Sequence, residues 1–543
     1  MCTSNAPKRA SPERRNNKTT KIFCGMASNI LKHAYLCFRT YLEMVIDLIF
    51  AFIFEGKRQA IPDLEKRHAI LAQSAVSLAA KIRNKDLTSE ELVTACIERI
   101  KAVNPVLNAL VDERFEDALK EAKEIDKKIA EGLPDEYFEK KPFLGVPFTS
   151  KESHAVAGML HPLGLVSRAH VKAHEDAECV RLLRESGAIP LAVTTVPEIN
   201  QWQETRNMAH GQTNNPYHTG RTTGGSSGGE AALAAALATP IALCSDIGGS
   251  TRMPAFYCGL YGFKPTAGYT SMKGTCLRSG EDPTMATIGF VSKHPVDQAP
   301  LTKIVAPTLD LNKPVDLKNV KYLYMETAQD LRVSRISKEL RQAMTRVIKK
   351  LTELAPNTEQ VPKEYSHCGF AHMFVLWRHA MTKETSRFAE LLTNNQGKAN
   401  AFVELAKKLL GMSPYTLAAV FKLFNDQVLP PVDKEWADNL TKELGDDLAN
   451  ALGPNGVLLF PSAPAVAPYH YSLFLRPFNF SYWAIINALH MPAVQVPLGL
   501  NSQGLPLGIQ VVAAKNNDAL ALAVAEHIGK TCGGYVPPCK VIE

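Results

Sequence analysis

Several common chemistries are missing from this 543-residue chain. Its eleven cysteines are scattered, with no CxxC pair and no Cys/His spacing suited to a metal. A disulfide framework and a zinc module are therefore excluded, and buried free thiols are expected. The Gly-Lys-Ser/Thr ending of a phosphate-binding loop is also missing. Gly529-Lys530-Thr531 comes nearest but lacks the upstream glycine. No Pro/Gly/Ser-rich linker divides the chain after residue 60, and no internal repeat is visible. One large α/β domain over 61–543 is the expected organisation, although the length alone allows several domains. No cofactor is implied.

A surplus of charge is missing too, outside one short region. The first 60 residues hold ten Lys and Arg against four Asp and Glu, a balance of +6 out of the formal +7. The remainder is close to neutral, which argues against a nucleic-acid partner. Residues 1–22 are polar and basic and read as a disordered arm. Residues 23–60 contain the most apolar run of this region, Leu42 to Phe54, interrupted by Glu43 and Asp47. That run is shorter than the ~20 apolar residues of a spanning helix, and no small-residue cleavage site follows it as in a signal peptide. Membrane association is the expectation, through a tilted single span or an interfacial helix, at an intracellular membrane rather than after secretion. A cap helix packed on the protein is the competing reading. Lys32 and Arg39 precede the run and Lys57 and Arg58 follow it, so basic residues do not orient it. Asn17, Asn439 and Asn479 begin glycosylation sequons, which arise by chance too often to place the chain in a lumen.

The most informative stretch is Gly224 to Thr266. One Gly/Ser cluster, Gly224-Gly225-Ser226-Ser227-Gly228-Gly229, precedes an Ala/Leu run from Glu230 to Ala238. That run is strong helix-forming material. A short apolar run, Pro240 to Cys244, reads as a buried strand. A second cluster follows, Asp246-Ile247-Gly248-Gly249-Ser250-Thr251-Arg252. Glycines allow close backbone approach, and successive N–H groups in such loops make a donor array for an oxyanion. Two flexible linkers would not be joined by a helix and a strand.

A serine needs an adjacent base to become a nucleophile. Gly225-Ser226-Ser227-Gly228-Gly229 matches the Gly-x-Ser-x-Gly elbow, which would make Ser227 the nucleophile with His and Asp partners. His210 and His218 lie near in sequence but in no triad context. Elsewhere, Thr88 and Glu91 form a capping box ahead of an amphipathic helix, and Asp112 to Glu131 reads as a solvated helix. Asp176 to Ser186 reads as helix, Ile189 to Thr194 and Lys321 to Glu326 as strands. This alternation suits a mixed sheet covered by helices on both faces. Glu364 to Asn425 is mostly helical, with Phe370, Met373, Phe374, Trp377 and Met381 near helical spacing, as are Leu417, Val420, Phe421 and Phe424. Such stripes are usually core.

The two Gly/Ser clusters, with Gly145-Val146-Pro147-Phe148-Thr149-Ser150-Lys151-Glu152 upstream, resemble the amidase signature family. The similarity extends from about Leu64 to the C-terminus. Around Leu87-Thr88-Ser89-Glu90-Glu91-Leu92 it is most like fatty-acid amide hydrolases, particularly the second type. The resemblance implies a Ser–cis-Ser–Lys triad. Ser250 would be the acylated nucleophile, Ser226 the bridging hydroxyl on a cis Gly225–Ser226 peptide, and Lys151 the base. Lys151 must then be neutral, which burial promotes. The N–H groups of Ile247, Gly248, Gly249 and Ser250 would form the oxyanion hole. Ser227 would support the loop by hydrogen bonding, with Asp246 and Arg252 as further supports. The implied substrate is a lipid amide, cleaved to a fatty acid and an amine. In the resembling enzymes the Glu364–Asn425 region helps build an acyl channel and a membrane-facing cap. A homodimer is a possible assembly. Other readings are an amidotransferase-type subunit or other amidase of the same signature, and a membrane-attached, lipid-binding pseudoenzyme.

Overall fold

The structure, a computed structural model, describes residues 34–354, 360–384 and 387–542. The basic arm of 1–22 and the first part of the 23–60 segment lie outside the described residues.

The runs of Val, Ile, Leu and Ala spaced through the chain become an eleven-stranded sheet. Its strands are β1 (Leu110–Glu113), β2 (Pro147–Lys151), β3 (Ile189–Thr194), β4 (Ile241–Asp246), β5 (Tyr261–Lys264), β6 (Thr287–Ser292), β7 (Lys321–Tyr324), β8 (Lys363–Glu364), β9 (Gly456–Pro461), β10 (Ala493–Leu500) and β11 (Pro506–Ala513). Their spatial order is β1-β3-β2-β4-β6-β5-β10-β11-β9-β7-β8. β2 pairs in parallel with β3 and β4, while β4–β6, β6–β5, β5–β10 and β10–β11 are antiparallel. Every residue of β2, β3, β4, β6, β9 and β11 is buried. Successive side chains of a strand point to opposite faces, so burial of every residue requires both sheet faces to be covered. This is the mixed, helix-covered architecture the sequence pattern predicts.

Local signals hold where they are strongest. Thr88 and Glu91 make both halves of the capping box at the start of the helix Ser89–Leu107. The Ala/Leu run forms the helix Gly228–Ala235, and Ile241–Asp246 follows it as β4. The parallel pairing of β2 and β4 brings the C-terminal ends of both strands together, and these carry Lys151 and Asp246. The lysine motif and the second Gly/Ser cluster meet there although they are far apart in the chain.

Of the readings offered for the 23–60 segment, a single span finds no support among the described residues. Among the described residues, no helix is long and apolar enough to cross a membrane. Residues 34–54 form helix α1, and its charges are turned to one side. Arg39, Glu43 and Asp47 recur every four residues and so share one stripe. Arg39 donates to Glu43 and to the Leu331 carbonyl, and Ser334 donates to Glu43. Arg476 pairs with Asp47 at 2.8 Å. Phe54, at the end of α1, stacks on Tyr469 and Tyr471. The polar stripe therefore faces the protein, with Ile46 and Phe54, and most of the other apolar residues face outward. Phe38 is 68% exposed, Leu48 69% and Phe52 93%. The sequon residue Asn479 is buried, its side chain bonded to Ser334.

Candidate active site

Lys151 ends β2 and is fully buried. Its Nζ lies within hydrogen-bond distance of Ser226 Oγ, at 2.9 Å, and of Ser245 Oγ, at 3.2 Å. Burial lowers its pKa, against weaker opposing contributions from Cys276, Cys244, Asp246 and Glu230. Glu152 and Glu230, both buried, are pushed up to about 8 by burial. At neutral pH they are therefore mainly protonated, and neither holds the lysine as an ammonium ion.

Ser245 lies at the end of β4, one residue before Asp246. Its hydroxyl also contacts His154 Nε2 at 3.1 Å, and His154 Nδ1 contacts Ser150 Oγ at 3.1 Å. Burial lowers the His154 pKa well below its ordinary value, so the ring is neutral. A neutral lysine has one lone pair and two N–H donors. If Lys151 donates to Ser245, Ser245 can donate to His154 Nε2, and His154 Nδ1–H to Ser150. The lysine lone pair is then left for the Ser226 proton.

The Gly225–Ser226 peptide is cis, as the resemblance implies. A Cβ on Gly225 would lie 2.3 Å from the Trp202 carbonyl, so only glycine fits. The backbone N–H of Ser227 donates to the Ser250 carbonyl at 3.2 Å, tying the two Gly/Ser loops together. Among the described residues the Ser227 hydroxyl makes no regular hydrogen bond, with the Cys244 thiol as its neighbour. Its support for the loop is through the backbone, and the histidine-paired nucleophile of the elbow reading is not formed. His218 bonds Glu55, away from the serine loops.

The loop of Ser250 is built on a buried ion pair. Arg252 Nε and Nη2 donate to the Asp246 carboxylate at 3.1 and 3.0 Å, with both side chains completely inaccessible. Burial pushes the Asp246 pKa up, but Arg252, Lys264 and Asn487 outweigh it and hold the carboxyl well below its ordinary range. The same carboxylate accepts from the N–H groups of Gly249 at 2.8 Å and Thr251 at 3.1 Å. The Gly249 N–H is thus already spent, while those of Ile247, Gly248 and Ser250 are not drawn on by Asp246. Gly249 has φ +110°, a conformation that favours glycine. Asn487, Gln510 and Ser245 also hold this loop and strand, and sequence reasoning gives none of them a role in the site. Gln510 accepts from Arg252 Nη1 at 2.8 Å, and Asn487 donates to Asp246 at 2.9 Å.

Two cavities open beside Ser250. One, of about 70 Å³, is apolar and lined by Trp202, Met253, Phe374, Trp377, Phe421 and Phe480. The aromatic stripes of 370–424 thus supply a wall as well as core. Trp377 Nε1 donates to the Ile247 carbonyl at 2.9 Å, joining this wall to the loop of Ser250. The other cavity, of about 360 Å³, is lined partly by charged residues and also reaches Ser226 and Ser250. Among the described residues, no cluster of His, Cys, Asp and Glu could hold a metal ion.

The fold, with a serine-rich loop pair over a buried lysine, defines a class. The amidase family model matches residues 91–522, and the chain belongs to that family, the amide-cleaving hydrolases. Among similar proteins is human fatty-acid amide hydrolase 2, 38% identical over 488 residues, covering 87% of this chain and 91% of the relative. A glutamyl-tRNA(Gln) amidotransferase component from Oleidesulfovibrio alaskensis is 28% identical, covering 85% of this chain and 98% of the relative. The solved structure of a fatty acid amide hydrolase superposes with a TM-score of 0.68 at 22% identity, covering 87% of each chain.

Proposed function

We propose that this amidase is a serine hydrolase of fatty-acid amides, with Ser250 acylated, Ser226 bridging and Lys151 as base. The observation that carries this reading is the apolar, aromatic-lined cavity at Ser250, beside the 2.9 Å contact between Lys151 and Ser226. The 38% identity to human fatty-acid amide hydrolase 2 supports it.

In the first half-reaction, neutral Lys151 takes the Ser226 proton, and Ser226 takes that of Ser250. Ser250 Oγ attacks the amide carbonyl, and the oxyanion faces the N–H groups of Ile247, Gly248 and Ser250. The C–N bond breaks as the proton returns through Ser226 to the leaving nitrogen. Water, deprotonated by the same relay, then cleaves the Ser250 ester and releases the fatty acid. Asp246 and Arg252 keep the loop in place, and Ser227 ties it to the first cluster through its backbone. The amidotransferase reading explains the signature but not the apolar cavity.

A membrane surface is the proposed setting. The outward apolar face of α1 suits interfacial insertion. A second exposed apolar surface lies on the helices Ala401–Leu409 and Leu417–Gln427, with Phe402, Leu409 and Leu417 exposed. The two are linked through Arg476, which holds Asp47, and through Phe474, which packs on Trp202 beside Phe421. The apolar cavity is lined by Phe421 of the second surface and by Pro477, next to the Arg476 that holds α1, and entry of a lipid from the bilayer is part of this proposal.

The test is a fluorophosphonate probe followed by peptide mapping, together with an assay on oleamide. Labelling of Ser250 with release of oleic acid is expected. Labelling of Ser227 would overturn the triad, and labelling without oleamide turnover would overturn the lipid substrate.

A further inference from the structure

The two cavities share a wall that includes Asn200, Ile247, Ser250, Trp377, Lys422 and Asn425. If the acyl chain lies in the apolar cavity, as proposed above, the scissile amide sits at this junction and the amine half extends into the larger cavity. That cavity is strongly unbalanced in charge. Five cationic side chains line it: Arg278, Arg378, Arg387, Lys398 and Lys422. Its carboxylates are Asp246, Glu384 and Asp426. Each of these is already matched: Asp246 by the buried Arg252, Glu384 by Arg278 at 2.9 Å, and Asp426 by Lys422.

The remaining cations are left over. Arg378 donates only to the carbonyls of Leu429 and Pro430, and Lys398 has no carboxylate partner among the described residues. Arg387 lies 3.6 Å from Glu390 in an exposed pair, which adds little neutralisation. An excess of one sign of charge in a cleft with low-dielectric walls attracts ligands of opposite sign. At the junction, Asn200 Oδ1 and Asn425 Oδ1 are buried acceptors without partners among the described residues. They suit the N–H of the scissile amide, which would satisfy one of them and turn the amine half toward the cations.

We propose that the amine half carries a carboxylate, so that the substrates are N-acyl amino acids. This rests on the fatty-amide reading of the same site. Hydrolysis then forms the Ser250 ester, breaks the C–N bond, and passes the serine proton to the amino acid nitrogen. Water completes the cycle and yields a fatty acid and a free amino acid. The cations hold the carboxylate by charge-assisted hydrogen bonds.

The experiment compares kcat/KM for three oleoyl amides that differ only in the amine half: N-oleoylglycine, N-oleoylethanolamine and the singly acylated ethylenediamine. The expected order is anionic, neutral, cationic, with the first step about tenfold, the worth of one charge-assisted hydrogen bond. Raising the salt concentration should narrow the gap. Lys398→Gln, a change at an exposed position, should cost the glycine conjugate more than the ethanolamide. Equal or faster turnover of the ethanolamide by the unaltered enzyme would overturn the proposal while leaving the fatty-amide reading intact. Hydrolysis of none of the three by enzyme that still labels at Ser250 would overturn both.

Discussion

Ser245 Oγ lies 3.1 Å from His154 Nε2, and the same hydroxyl lies 3.2 Å from Lys151 Nζ. The lysine therefore has an immediate neighbour whose own proton must be directed elsewhere. With His154 accepting that proton, Ser245 cannot donate into the lysine lone pair. His154→Leu frees the Ser245 proton to compete with that of Ser226. The expected result is a fall in kcat of about tenfold, small against the ~100-fold or more of a lost acid–base group, with KM little changed. His154→Gln, which can still accept through its amide oxygen, should recover much of the loss. A merely structural role would instead lower the yield of folded enzyme without separating the two variants.

The rate should rise with pH. In the proposed mechanism only neutral Lys151 starts the relay, and burial lowers its pKa from the ordinary lysine value. Deprotonation, and with it kcat/KM, therefore increases as pH climbs toward that lowered pKa and levels off above it. The controlling group is not His154, whose pKa is pushed well below the ordinary histidine value. A profile measured across the neutral and alkaline range should keep its ascending limb in His154→Gln. Lys151→Ala should abolish that limb and nearly all activity, with circular dichroism retained.

Gly249→Ala tests the loop that carries Ser250. The added Cβ would lie 2.4 Å from Trp483 Cβ, and φ +110° is strained for alanine. The cost should be about 1–3 kcal/mol for such a backbone conformation, measurable by denaturant melts. Activity should fall further than stability. The Gly249 N–H is bonded to Asp246, so a shift there moves Ser250 relative to Ser226. Labelling of Ser250 at the unaltered rate would contradict this.

The proposed membrane attachment should depend on the outward face of α1. Replacing Phe38, Leu48 and Phe52 together by glutamine should lower co-sedimentation with liposomes. Hydrolysis of a water-soluble short-chain amide should persist, because none of the three lines either cavity. Removing the whole N-terminus through residue 58 would be a poorer test, since Glu55 bonds Tyr469 and His218. Unchanged sedimentation would place attachment elsewhere on the surface.

Much of this protein is determined locally. Glycine at 225 and 249 and serine at 226, 227 and 250 are short-range features, as are the capping box at Thr88 and the buried runs of Ile189–Thr194 and Ile241–Asp246. Backbone conformation and apolar periodicity act over a few residues, so a sequence displays them. Even the polar stripe of α1 is visible once Arg39, Glu43 and Asp47 are read at four-residue spacing. What it packs against is not visible, because Ser334 and Arg476 lie far along the chain. The tertiary structure alone decided which N–H groups Asp246 takes, that Ser245 and His154 stand behind Lys151, and that an apolar and a cationic cavity meet at Ser250. Each depends on side chains from several distant segments converging on one point, and such convergence is set by strand order and packing. No local pattern of residues encodes it.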